Sequence, residues 1–174
     1  MDQEQWFKRQ FDFGFTQNIF PSIIERLTGT SARLDEKIKY IPSDILSIRI
    51  DNTWSIKENI GHLTDLEPLW QGRLEDILND EPILRPTDLQ NTKTNEANHN
   101  AVPIEELLAK FRQIRNKTIQ LTELLNEEQI YKCALHPRLK TPMRIMDLFL
   151  FVAEHDDHHL ARITQLVRLI VYNN

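Results

Sequence analysis

Only four glycines occur in a chain of 174 residues, beside eight prolines. Glycine is the residue that takes positive φ at no steric cost, so glycine-rich phosphate loops, tight two-residue hairpins and most all-β designs are disfavoured. Helices remain as the default. Four segments carry helical periodicity, separated by proline, asparagine and threonine rather than by any shift of composition. The first runs from about Phe15 to Tyr40, with Ile19, Ile23, Leu27, Leu34 and Ile38 apolar and Pro21 placed to kink its first turns. The second starts at Ser55, with Glu58 three residues on in the capping-box arrangement, and ends near Asn79. The third starts at Val102 or Pro103 and runs through Phe111 and Ile119 to about Leu125. The fourth starts near Thr141 and Pro142 and runs through Leu169.

Between the second and third helices lies a polar connection, from about Asp80 to Ala101, with Pro82, Pro86 and the stretch Asn91 to Asn100. Helix connections in bundles usually take about 2 to 8 residues, so a link of about 20 is a functional loop or a crossover that lets its two helices run parallel. The expected fold is all-α: one four-helix-bundle domain over residues 1–174, with a long crossover between helices two and three.

Hydrophobic residues make up 40% and charged residues 27%, which suits a folded chain rather than a disordered one. A net charge of −5 gives no general attraction to nucleic acid or to an anionic membrane, and no basic reading helix is evident. The single cysteine, Cys133, forms no intramolecular disulfide, lacks an obvious activating partner and fits a reducing compartment. No signal-peptide pattern opens the sequence and no apolar run approaches the ~18 residues of a membrane span, so the expected location is the cytoplasm.

Six histidines occur: His62, His99, His136, His155, His158 and His159. At about 100° per residue, His159 lies about 40° from His155, within the stripe of Leu148, Val152, Ile163, Leu166 and Ile170. His62 shares an arc of about 80° with Leu66, Leu69 and Trp70, while Lys57, Thr64, Asp65, Glu75 and Asp76 lie opposite. Imidazoles at i and i+4 are spaced to reach one divalent ion, and a third from a neighbouring helix closes a facial set with open positions. A lone histidine on an apolar face is more often a hydrogen-bonded core residue, and that reading stands beside the metal reading for His62. For the pair the balance is even, because two buried imidazoles without a shared cation leave several polar atoms to satisfy. His158, about 60° to one side, reads as a rim residue.

The strings Gly61-His62-Leu63, His136-Pro137-Arg138 and Phe151 to Ile163, the last containing His155-Asp156-Asp157-His158-His159, resemble the DinB superfamily and its YfiT-like members. The resemblance implies a four-helix bundle, often dimeric, with His62, His155 and His159 holding a divalent metal such as nickel or zinc. It also implies a small-molecule substrate. Some relatives are S-transferases that use a low-molecular-weight thiol, and others are hydrolases or isomerases. The rival expectation is a bundle that binds a small ligand or a protein without turnover.

Two acidic residues break the binary pattern: Asp156, about 100° from His155, and Glu67, about 140° from His62. As catalytic candidates they would orient a ligand imidazole or act as a general base. As structural residues they would pair with Arg73, Arg144 or Arg162, the commoner arrangement in helical bundles. Asp157 reads as solvated, His99 as a solvated loop residue able to fold over the site, and His136 as a turn or capping residue. Trp6, Trp54 and Trp70 read as packing residues. Met146, Phe149, Leu150 and Phe151 make the start of helix four apolar on several faces, which predicts a homodimer interface there.

Overall fold

The computed structural model describes residues 3–172. The first predicted helix is two: α1 (Phe20–Thr28) starts with Pro21 in its first turn, and α2 (Thr30–Ile38) follows a break at Gly29. Proline thus opens the helix instead of kinking it. Helix α3 (Ile56–Leu78) is the predicted second helix, and Ser55 and Glu58 form the reciprocal capping box. The long connection folds into the short helix α4 (Thr92–Glu96) and a single turn at His99–Ala101. Helix α5 (Ile104–Glu123) begins after Pro103. A short helix, α6 (Glu127–Ile130), precedes strands β1 (Cys133–Leu135) and β2 (Pro142–Arg144), and α7 (Ile145–Tyr172) completes the bundle.

The hairpin replaces the expected first turn of helix four. Its strands pair antiparallel across a loop of several residues in which Lys140 takes φ 56°, so it needs no glycine turn. Asp147 accepts the backbone N–H of Arg144 at 3.0 Å and thereby sets where α7 starts.

Side-chain pairings fix the helix directions. Along α3 and α5, Glu67 meets Arg115 and Gln71 meets Thr118, so both numbers rise together and the two helices are parallel. Along α3 and α7, His62 meets His155 and Asn59 meets His159, so these two are antiparallel. The long connection is the crossover that parallel α3 and α5 require.

The core has two apolar halves. One gathers Trp70, Leu74, Ile77, Met146, Phe149 and Val152, and the other gathers Ile56, Ile60, Leu63, Phe111, Leu160 and Ile163. Between them runs a polar layer, because α3, α5 and α7 each interrupt their apolar stripe at the same height. Met146, Phe149 and Phe151 are buried inside this chain, where Trp6, Phe11 and Phe13 of the N-terminal segment pack against the same core. Three of the four apolar side chains that suggested a dimer interface at the start of α7 are therefore covered from within, and Leu150 is partly buried against the same core.

Candidate metal centre

His62 from α3 and His155 and His159 from α7 are all buried, and one ring nitrogen of each lies within 4.8 Å of the others. The ring centroids are 4.5 Å apart for His155 and His159, 4.9 Å for His62 and His159, and 5.3 Å for His62 and His155. Burial disfavours the imidazolium, so the pKa of His62 is pushed down to about 4, and His155 and His159 fall well below the ordinary histidine value. All three rings are neutral near pH 7, the form that binds metal.

Two of the rings are oriented by neighbours whose roles can be assigned from their own hydrogen bonds. Asn59 donates its amide N–H groups to the carbonyls of Trp54 and Ser55, at 3.2 and 2.8 Å. Its Oδ1 is left to accept from His159 Nδ1 at 2.8 Å. Thr94 donates its hydroxyl to Asp65 at 3.0 Å and so accepts from His62 Nδ1, also at 3.0 Å. Both Nδ1 atoms therefore carry the hydrogen, and both Nε2 lone pairs are free. Asp65 is held in turn by His99 Nε2 at 2.8 Å.

The free nitrogens converge. His159 Nε2 and His155 Nε2 are 3.2 Å apart, close to the ~3.0 to 3.4 Å between neighbouring nitrogens sharing an ion at about 2.0 to 2.1 Å. His155 Nδ1 is buried with no hydrogen-bond partner, and with the hydrogen on that nitrogen the Nε2 lone pair of this ring is free as well. Neutral rings, fixed tautomers and convergent lone pairs fit a divalent cation.

The site also has aromatic walls. Trp54 lies against His62 at 4.6 Å between ring centroids, Trp6 against His155 at 4.9 Å, and Trp70 against His155 at 5.8 Å. Packing was the only role the sequence suggested for these indoles, yet all three line a cavity of about 390 Å³ that opens onto the three histidines. His158 lines it as well, which agrees with a rim position.

Asp156 and Glu67 stand apart from this chemistry. Both are fully buried, and all four carboxylate oxygens are occupied. Arg115 donates to Asp156 at 2.5 and 3.0 Å and to Glu67 at 2.8 Å, while Thr30 and Thr118 supply hydroxyl donors to Asp156 and Glu67. Neither carboxylate hydrogen-bonds a histidine among the described residues. The expected ion pair is present with a different partner: Arg115 rather than Arg73, Arg144 or Arg162. Neither carboxylate is among the residues that line the cavity over the three histidines, so their placement supports the ion-pair reading.

Two further readings change. His99 is buried instead of solvated, with its ring packed where a side chain on Gly61 would otherwise sit. Asp65, on the polar arc of α3, is covered by the connection. Asp157 pairs with Arg26 and Arg33, both at 2.5 Å. His136 does hold its turn, accepting from the backbone N–H groups of Arg138 and Leu139 at 3.2 and 3.1 Å. Cys133 is exposed and unbridged. No helix among the described residues is long and apolar enough to cross a membrane.

Fold and centre together define a helical bundle with a three-imidazole site suited to a divalent ion. The chain belongs to the DinB superfamily, whose family model matches residues 1–163. It is 24% identical over 147 residues to YfiT of Bacillus subtilis (strain 168), spanning 83% of this chain and 82% of that relative. The solved structure of YfiT, described as "a probable metal-dependent hydrolase with an unusual four-helix bundle topology", matches with a TM-score of 0.78 at 21% identity, covering 93% of each chain. A crystal structure of a Streptococcus pneumoniae protein matches with a TM-score of 0.67 at 14% identity, covering 90% of this chain and 94% of that one. At these identities the structural matches establish the shared bundle.

Proposed function

We propose that this chain is a metal-dependent enzyme in which His62, His155 and His159 hold one divalent ion, nickel or zinc, and that it acts on a small molecule by hydrolysis. The observation that carries the reading is the convergence of three buried, neutral imidazoles on one wall of a cavity. A divalent ion there supplies Lewis-acid chemistry, lowering the proton affinity of a water or thiol ligand. The chain's own contribution is positional. Thr94 and Asn59 hold two of the ligand rings, and Trp6, Trp54 and Trp70 narrow the approach and limit water around the centre. The name of YfiT supports hydrolysis, and the same donor set is open to thiol transfer.

Metal analysis of protein purified without a histidine tag tests the reading. We expect close to one equivalent, lost in His155→Ala. Less than about 0.2 equivalents, unchanged by that substitution, would overturn it in favour of a binding bundle without turnover. Ester and amide substrates assayed with and without a low-molecular-weight thiol then separate the reactions, since hydrolysis proceeds without the thiol.

A further inference from the structure

Arg73 lies on the same stripe of α3 as His62 and Trp70, and it is 1% exposed. Its Nε donates to the carbonyl of Arg85 at 3.1 Å, its Nη1 faces His136 Nε2 at 3.2 Å, and its Nη2 is buried without a hydrogen-bond partner. The adjacent carboxylate, Asp76, is committed elsewhere: Arg85 reaches its Oδ1 at 2.6 Å and both oxygens at 3.0 Å. Burial pushes the Arg73 guanidinium down to about 10, a pull that Asp76 only partly opposes.

His136 does not supply the missing acceptor. Its Nδ1 accepts two backbone N–H groups, so the hydrogen sits on Nε2 and points at Arg73. Two donors then face each other at 3.2 Å with no acceptor between them. Arg138 adds a second cation on the same cavity wall. It has no carboxylate partner among the described residues, and its guanidinium lies over Phe7 at 5.3 Å. Buried donors in protein interiors are normally paired, so Arg73 Nη2 and the facing Arg73 and His136 donors call for an acceptor from outside the chain, and the half-buried Arg138 on the same lining adds positive charge beside them.

We propose that Arg73, Arg138 and His136 form a subsite for an anionic group, a carboxylate or a phosphate, at one end of this cavity. The proposal rests on reading the cavity as the substrate site and adds the substrate's class: an elongated anion whose reactive end meets the three histidines. The Trp70 ring stands between the two ends, 5.5 Å from the Arg73 guanidinium and 5.8 Å from the His155 ring. Those two distances bound the separation of the guanidinium and the His155 ring at about 11 Å, which sets the scale of the occupant.

Calorimetric titration with inorganic phosphate and with benzoate, on zinc-loaded and on chelator-treated protein, tests this. We expect saturable binding of at least one probe in both forms. Arg73→Met should weaken it by more than about tenfold and Arg138→Gln by a few fold, the loss for hydrogen bonds to a charged group. The tighter probe identifies the headgroup. Binding confined to the zinc-loaded protein, binding undiminished in Arg73→Met, or no binding of either probe would overturn the proposal. Arg138→Gln lies nearer the surface and serves as the folded variant if Arg73→Met does not fold. His155→Ala should leave anion binding intact, so failure of the metal reading and failure of the subsite give different results.

Discussion

Thr94 is the residue through which the long connection acts on the centre, since it accepts from His62 and donates to Asp65. Thr94→Val keeps the shape and removes both hydrogen bonds, leaving the His62 N–H buried and unpaired. We expect metal affinity to fall by about 10- to 100-fold while the fold is retained, with Thr94→Ser close to wild type, in a competition titration against a chromophoric chelator. A second residue-scale expectation concerns acid. Burial lowers the pKa of His136 to about 4, and the like charges of Arg73 and Arg138 add to the effect. Between pH 6.5 and 4 the unfolded chain therefore binds a proton at His136 that the folded chain refuses, so stability falls as pH falls through that window and is flat above it. Thermal midpoints measured from pH 7 to 4.5 should decline, with a shallower slope in His136→Asn, whose amide oxygen can still accept the turn's N–H groups. Glu58 and Asp76 are held below the usual carboxylate range by hydrogen bonds and charge from Arg49 and Arg85, which outweigh their burial, and they act in the same direction lower on the pH scale.

At the scale of the element, α5 contributes one side chain that ties three helices together. Arg115 is buried between Glu67 of α3 and Asp156 of α7, and it also reaches the carbonyl of Leu27 in α1 at 3.3 Å. Burial raises the pKa of Glu67 even beside this guanidinium, so the layer tolerates little loss of positive charge. Arg115→Met should destabilise the protein by about 3 to 5 kcal/mol in urea denaturation, because it leaves buried carboxylates uncompensated. Helix α3 shows another kind of coupling. Gly61 is helical and costs about 1 kcal/mol relative to alanine, yet a methyl group there would overlap the His99 ring. Gly61→Ala should lower stability, as overpacking of about 1 to 3 kcal/mol outweighs the helical gain, and His99→Ala in the same chain should restore much of it in thermal denaturation. These elements also mark how far sequence reading reached. The Ser55 capping box and the i, i+4 histidines are local patterns, and they placed α3 and the inward face of α7. Arg115 was missed because pairing across helices depends on their relative rotation, which the period of one helix does not contain. His99 was misplaced for a related reason: a polar connection reads as solvated until it is seen to fold across α3. The strands of the hairpin are too short to show an alternating pattern.

For the whole molecule, the centre lies at the height where two apolar halves meet, so its occupancy bears on the stability of the entire bundle. The fold buries three imidazoles beside an ion triad containing two carboxylates and one guanidinium. The unfolded chain has no preformed set of three rings, so a metal that binds the folded state stabilises it by mass action. At a free concentration a thousandfold above the dissociation constant the gain is about 4 kcal/mol, which for a chain of this length raises the thermal midpoint by about 8 to 16 °C. Calorimetric scans of chelator-treated protein before and after adding one equivalent of zinc or nickel should show this rise, and His155→Ala should show none. An unshifted midpoint in the native sequence would mean that the three rings are held together by packing alone. The same scans rank zinc against nickel by their affinity for these three nitrogens, an order set by the intrinsic Irving–Williams preference together with the geometry of the site.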